Sequence, residues 1–181
     1  MCRAQALDAG TAPAVDAELG ELTARAVGGV AAAQYQMGVA YAQGLGVPRD
    51  HGKAVYWYRL AAAQGYAAAM NNLGVLLLTG TGDEASDAEA VRLFRSAAQR
   101  HNVPAQNNLA WMYEQGRGVT RDLHRAYMWL RVARSSSWGG SEFRDRDNRL
   151  ALVDIQMLRE EIRSAEAMAR ACLEKSLLDC D

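Results

Sequence analysis

The chain has 181 residues, enough for one domain with a sizeable core. Half of the residues are apolar, 7% are aromatic, and the formal net charge is −1. A balanced charge argues against a nucleic-acid binder, because contacts to phosphates carry much of the affinity of such proteins and require a basic excess. No stretch approaches 18 continuous apolar residues, so we expect no insertion into a membrane.

The N-terminal segment carries no pattern that the rest of the chain shares. We expect residues 1–15 to be disordered and residues 16–181 to form a single repeat domain. The stretch Met1–Asp8 lacks the apolar core of a secretory signal, which predicts a cytoplasmic protein. If a signal sequence was removed before this start, the periplasm or the cell exterior is the alternative.

A period of 36 residues runs through the middle of the chain. The segment 33–38 returns at 69–74 and again at 105–110, with an alanine first in each copy. Other columns at this step are Met37, Leu73 and Leu109; Tyr41, Leu77 and Tyr113; Gly44, Gly80 and Gly116; Gly46, Gly82 and Gly118; Ala54, Ala90 and Ala126; and Ala61, Ala97 and Ala133. This regularity predicts a half repeat at 16–30 and repeats at 31–66, 67–102 and 103–137.

Each repeat is expected to form two helices. Ala33, Met37 and Tyr41 recur every four residues, which is a helical stripe. Gly44 ends that helix, because glycine takes the left-handed conformation without strain. Asp50 is a suitable N-cap for the second helix. The corresponding N-caps in the later copies are Ser86 and Asp122. We therefore predict about nine helices in one superhelix, without a β-sheet.

The period breaks after Arg134. Residues 135–140 have the composition of a loop, and an apolar stripe then runs from Leu150 to Leu173. We expect a C-terminal cap at 141–178 that covers the last apolar face of the repeats, as either two helices or one long bent helix.

The three cysteines form an odd, scattered set, which argues against a disulfide framework. Cys172 and Cys180 stand eight residues apart on one expected helix, roughly 12 Å along its axis. That distance is too long for a disulfide, so we predict none. No cysteine or histidine stands beside another at the short spacing of metal ligands, so we predict no metal site.

The first copy carries motifs that resemble the Sel-1-like repeat family. They are Met37-Gly38, Tyr41, Gly44-Leu45-Gly46-Val47, Asp50, Lys53-Ala54, Trp57-Tyr58 and Ala61-Ala62-Ala63-Gln64-Gly65. The resemblance covers about residues 18–137, together with a terminal helix pair similar to the family's cap. It implies an all-α fold, a right-handed α/α superhelix related to tetratricopeptide repeats. It also implies a bacterial adaptor that assembles protein complexes.

No residue pattern predicts catalysis or a cofactor. The Gly-x-Gly pairs lack the further residues of a phosphate-binding loop, and no pattern of a nucleophile with a base is present. A cysteine-rich branch of the family has been linked to β-lactam binding and hydrolysis, which is the enzyme alternative. This chain has no cysteine between Cys2 and Cys172. A regulatory module of a larger signalling protein is a third hypothesis.

Recurring amides in the first helices are the sharpest functional signal. Gln36, Asn72 and Asn108 share a column, and Asn71 and Asn107 stand beside them. Asparagine is only a fair helix former, so its repetition needs a reason. The reason is either structural, a bond to the neighbouring helix, or functional. In tetratricopeptide proteins the first helices line the concave face, where an asparagine ladder holds a peptide backbone.

Trp111 occupies the column of Val39 and Val75, where the repeat does not require a tryptophan. It is either a core residue or an anchor for a partner. We predict that an unidentified protein or extended peptide binds in the groove of the first helices. The predicted groove residues are Gln36, Asn72, Asn108, Trp111, Asn71, Asn107, Tyr35, Val39, Val75 and Gln115.

Overall fold

The computed structural model describes residues 12–80, 86–135, 149–154, 156–177 and 180. Over those residues the chain forms nine helices and no strand. They are α1 (Ala12–Val27), α2 (Ala31–Gln43), α3 (His51–Ala63), α4 (Ala67–Thr79), α5 (Asp87–Ala98), α6 (Val103–Gln115), α7 (Leu123–Ser135), α8 (149–154) and α9 (Arg159–Glu174). The helices α1 to α7 pack chiefly on their neighbours in sequence. The all-α repeat fold predicted from the 36-residue period is confirmed.

The helices alternate between two roles. We call α2, α4 and α6 the first helices, and α1, α3, α5 and α7 the second helices. A first helix and the second helix after it form one repeat. The face of the second helices is lined by two alanine columns without exposed surface, which are Ala54, Ala90 and Ala126, and Ala61, Ala97 and Ala133. Side chains of this size let the helix axes approach closely, and so one core runs from α3 to the C-terminal helices. Ala26, Ala33 and Met37 form a smaller cluster between α1 and α2.

Each repeat has one point where the two helices approach most closely. A Cβ added at Gly38 would overlap the ring of Tyr58, and a Cβ added at Gly74 would lie 2.7 Å from Cε1 of Phe94. The third repeat has Ala110 and Leu130 in these columns, and both are fully buried. Larger side chains on the first helix would therefore push the pair apart.

The helix ends follow the sequence signals. Gly44, Gly80 and Gly116 end the three first helices in the left-handed conformation, with φ between 64° and 77°. The side chains of Asp50, Ser86 and Asp122 accept hydrogen bonds from backbone N–H groups three residues later, at 2.9, 3.2 and 3.0 Å. These bonds satisfy N–H groups that have no partner inside the helix.

Helix α1 extends beyond the N-terminal boundary expected from the sequence. Helix α1 begins at Ala12, so residues 12–15, which were expected to be disordered, are helical. The missed signal is Pro13, a residue that fits the first turn of a helix because it needs no N–H partner there. Residues 1–11, residues 81–85 of the second glycine loop and residues 136–140 of the expected loop lie outside the described residues.

The C-terminal cap consists of two helices, which decides between the two forms that the sequence left open. The chain is not helical at residues 157 and 158, and Leu158 caps the start of α9 with its N–H donating to the carboxylate of Glu161 at 2.7 Å. Helix α9 packs on α7 and buries Ala165, Ala169 and Cys172. It therefore covers the last second helix, as a terminal cap must.

The prediction that Cys172 and Cys180 are too far apart for a disulfide was wrong, because it placed both on one helix. Helix α9 ends at Glu174, and Ser176 and Leu177 take left-handed φ values of 55° and 66°. This turn brings the two Cα atoms to 4.9 Å, and the sulfurs form a disulfide. The same turn places Leu177 in the core, fully buried.

The close approach at Gly74 is tested by a larger side chain. Gly74→Leu should lower the free energy of unfolding by about 1–3 kcal/mol, because the new side chain overlaps Phe94. Gly20→Leu is the matched control, since Gly20 is also helical but has no atom within 4 Å of its added Cβ. Urea unfolding of both variants measures the difference, and equal stabilities would contradict the packing argument.

Candidate partner-binding face

The predicted groove residues all lie on the first helices. Gln36, Val75 and Gln115 are exposed, and Asn71 is buried. The remaining six are partly buried, and they are Tyr35, Val39, Asn72, Asn107, Asn108 and Trp111. The structure thus spreads these residues from open surface to core, and their environments differ from one repeat to the next.

Four polar side chains form a hydrogen-bonded chain across three helices. Asn108 of α6 donates to Oδ1 of Asn71 at 2.9 Å, and Asn71 donates to Oδ1 of Asn72 at 3.2 Å. Asn72 of α4 then donates to the hydroxyl of Tyr58 on α3 at 3.3 Å. Burial raises the pKa of Tyr58, and this outweighs the opposite effect of the bond from Asn72. The phenol therefore stays neutral at ordinary pH, and the chain joins neutral groups.

A second amide pattern escaped the sequence analysis. Gln34 donates to the carbonyl of Ala26 at 3.2 Å. Gln106 occupies the same column two repeats later and donates to the carbonyl of Ala98 at 3.2 Å. In both cases a buried glutamine satisfies a carbonyl in the last turn of the preceding second helix. The signal was the recurrence of Gln at a step of two repeats, since Met70 fills this column in the second repeat.

Trp111 lies partly exposed on α6, with one side against the core. The guanidinium carbon of Arg117 lies 5.3 Å from the centroid of a Trp111 ring, which is cation–π distance. Arg117 is itself held by two bonds to the carboxylate of Asp87, at 2.6 and 3.0 Å. The Asp87 carboxylate therefore holds the guanidinium against the indole.

The C-terminal cap covers part of the third repeat. Arg149 donates to the carbonyl of Asn107 at 3.2 Å and to the carboxylate of Glu114 at 3.1 Å. Asn107 thus adjoins α8, while Gln115 is exposed at the end of α6. These contacts place the backbone of Asn107 beside the cap.

An open groove of about 660 Å³ lies between α1 and α2. We call it the N-terminal groove, and its lining residues are Glu18, Leu19, Glu21, Leu22, Arg25, Tyr35, Gln36, Val39, Ala40, Leu45 and Gly46. Three of them, Tyr35, Gln36 and Val39, belong to the predicted groove set. Tyr35 is held by the rings of Tyr58 and Tyr66, at centroid distances of 5.9 and 5.1 Å.

Two kinds of feature were not found in the part of the chain that the structure describes. Among those residues, no group of three or more His, Cys, Asp or Glu side chains is arranged to hold a metal ion. None of the helices there combines the length and the apolar character that crossing a membrane requires.

Comparisons with known proteins converge on one family. The model of the Sel1 repeat matches residues 31–66, 67–102 and 103–136. The crystal structure of c5321, a protective antigen of uropathogenic Escherichia coli with an SLR fold, is similar at 31% identity and a TM-score of 0.77, over 88% of this chain and 33% of that one. A Sel1 repeat protein from Oxalobacter formigenes is similar at 34% identity and a TM-score of 0.58, over 60% of this chain and 43% of that one.

A search of curated proteins found no match. The chain spans about a third of the first of these two structures and less than half of the second.

The hydrogen-bonded chain of amides is tested at its centre. Asn71→Ala should lower the free energy of unfolding by about 1–3 kcal/mol, because it removes the acceptor of the Asn108 amide and the donor to Oδ1 of Asn72. Gln36→Ala is the control, an exposed amide of the first repeat, and should change stability by less than about 0.5 kcal/mol. Equal losses in urea unfolding would show that the bonds do not stabilise the fold.

Proposed function

Since the chain belongs to the Sel1 repeat family, we propose that it is a non-catalytic scaffold that binds an extended segment of a partner protein along its first helices. Sel1 repeat proteins generally mediate protein–protein interactions. The observation that carries the proposal is the column of Val39, Val75 and Trp111. It stays partly exposed in every repeat while the helices around it form a closed core.

Trp111 is the strongest candidate for an anchor in this column. A large aromatic side chain gains much from losing its remaining contact with water, and such residues dominate the energetics of interfaces. Because Arg117 and Asp87 already hold the indole, little side-chain entropy is lost when a partner covers it.

The amide column has a smaller part in this proposal than the sequence suggested. Asn71, Asn72 and Asn108 already bond to one another, so their donors hold the helices together. Their remaining acceptor capacity is open to a partner's backbone N–H groups, but that is a secondary contribution. We therefore assign them chiefly to the junctions between repeats and assign binding chiefly to the apolar column.

The anchor is tested by capture of partner proteins. The intact chain, immobilised, is incubated with lysate of the cells that produce it, and bound proteins are identified by mass spectrometry. Trp111→Ala should weaken binding of a captured protein by about 2 kcal/mol, roughly thirtyfold, with an unchanged helical CD spectrum.

Tyr56→Ala is the matched control, since Tyr56 is an exposed aromatic residue on the second helix α3 (58% exposed). It should leave capture unchanged. Equal binding by the Trp111 and Tyr56 variants, or unfolding caused by Trp111→Ala, would contradict the proposed anchor.

We propose that the protein works outside the cytoplasm, in an oxidising compartment such as the periplasm or the cell exterior. Support comes from the disulfide between Cys172 and Cys180, because disulfides persist outside the reducing cytosol. A membrane-permeant thiol-blocking reagent, added to intact cells before lysis, should therefore leave these two cysteines unlabelled. If both are labelled in intact cells, the protein works in a reducing compartment.

A further inference from the structure

The first and second helices of the repeats differ in charge. Helices α3, α5 and α7 carry nine Lys, Arg, Asp or Glu residues, whereas α2 and α4 carry none. On the three first helices the one residue of these types is Glu114 of α6. All six helices lie within the described residues, so the contrast holds in each repeat. The second helices show that the fold accepts charges at its surface, so their absence from the first helices is not required by packing.

The exposed side of each first helix consists of four residues at steps of four, three and four. Such spacing keeps side chains on one side of a helix. None of the twelve side chains in the three repeats is buried, and none is charged. We call them the exposed stripe. They are Ala32, Gln36, Val39 and Gln43; Ala68, Asn72, Val75 and Thr79; and Pro104, Asn108, Trp111 and Gln115.

The charged groups that follow Trp111 most closely in sequence are paired within the fold. The carboxylate of Glu114 accepts from Arg149 at 3.1 Å. The guanidinium of Arg117 donates to both carboxylate oxygens of Asp87, at 2.6 and 3.0 Å. A charged residue of a partner that covered Trp111 would therefore lose its water without gaining an unpaired opposite charge from these groups, which is costly.

Other charges border the exposed stripe at its two ends. Glu18 and Glu21 of α1 line the N-terminal groove beside Val39. At the opposite end, Arg121 donates to the carbonyl of Glu114 at 3.0 Å. A ligand recognised mainly through either of these ends would show a preference for one sign of charge.

Uncharged amides flank the apolar centre of the exposed stripe. Gln36, Gln43 and Gln115 are exposed. An amide side chain both donates and accepts hydrogen bonds, so it can bond to the backbone of an extended segment. The stripe thus offers apolar contacts from Val39, Val75 and Trp111 and hydrogen bonds without charge on either side of them.

We propose that the exposed stripe binds a segment of the partner protein that has no charged residue and an apolar side chain at every third position. A chain in the polyproline II conformation rises about 3.1 Å per residue and turns once in three residues, so side chains three apart lie about 9 Å apart on one side. Packed helices lie about 8–10 Å apart. Such side chains therefore match Val39, Val75 and Trp111 in turn. This inference rests on the proposed scaffold function and names the chemistry of the partner segment.

The parts of the sequence outside the described helices do not meet this requirement. A segment that reaches all three columns needs about seven residues. None of the stretches 1–11, 81–85 and 136–148 contains seven successive uncharged residues with an apolar residue at every third place. The proposal therefore commits to a segment of another protein.

Three synthetic peptides with blocked ends test the proposal on the full chain. The first repeats Leu-Pro-Ser over about twelve residues, which is long enough to pass all three columns. The other two have glutamate or lysine in place of every serine. Isothermal titration calorimetry should give a Kd below about 1 mM for the neutral peptide and binding at least about tenfold weaker for both charged peptides. Loss with both signs of charge is the specific result, because an acidic or a basic surface would favour one of them.

A charge introduced into the exposed stripe should create a preference for one sign. Val75→Lys should bind the glutamate peptide more tightly than the lysine peptide, and Val75→Glu should do the reverse. Val75 is 39% exposed, so both longer side chains reach water and the helical CD spectrum should be retained. Tyr56→Lys is the matched control, at an exposed site on the second helix α3, and should leave the preference for the neutral peptide unchanged.

Three results would overturn the inference. They are no binding of the neutral peptide at about 1 mM, a charged peptide that binds as tightly as the neutral one, and Val75 variants that do not distinguish the two charged peptides. If any of them occurs while Trp111→Ala still weakens capture, the scaffold function stands and only this inference is lost. If the neutral peptide is preferred while Trp111→Ala leaves capture unchanged, the proposed anchor is lost and this inference remains.

Discussion

The close contact between the two helices of a repeat is the constraint on which the rest of the structure depends. Gly38 against Tyr58 and Gly74 against Phe94 bring each pair to a distance that a larger side chain would prevent. At that distance the alanine columns of the second helices close completely, and one core continues from α3 to the cap. Repetition of this contact lets successive helix pairs stack on one another.

That geometry also decides which side chains are available for binding. Polar side chains at the junctions between repeats form hydrogen bonds within the fold. Gln34 and Gln106, for example, bond to carbonyls of the preceding helix. The amides of Asn71, Asn72 and Asn108 join neighbouring first helices in the same way. The positions left partly open are apolar in the middle of the face and charged at its N-terminal end. The same 36-residue register therefore determines both the fold and the binding surface.

The sequence was sufficient to locate the repeated helices and their ends. The period located the helices, because a column seen three times averages out the propensity of any one residue, and the capping residues were recognisable for the same reason. The single-copy features were not accessible in this way. The start of α1 and the turn at Ser176 and Leu177 each occur once, and neither Ser nor Leu signals a left-handed backbone. The disulfide was missed because it depends on that turn.

In the candidate site, too, the sequence predicted the repeated residues but not their contacts. A repeated amide could be noticed in the sequence, but its partner could not. Whether Asn108 meets Asn71 or a ligand depends on the distance between two helices, which no local pattern contains. The N-terminal groove was not predicted for a related reason, since its lining comes from two helices whose relative placement no local pattern contains.

The equivalence of the close contacts has a consequence for how such a chain changes through gene duplication. The small residue of each first helix and the large residue of each second helix stand at the same places in every repeat. Unequal crossing-over between equivalent codons would insert or remove a unit of 36 residues and leave every remaining contact with a suitable partner. The length of the scaffold, and hence the number of anchoring columns it offers, can therefore change in whole steps without a new core having to evolve.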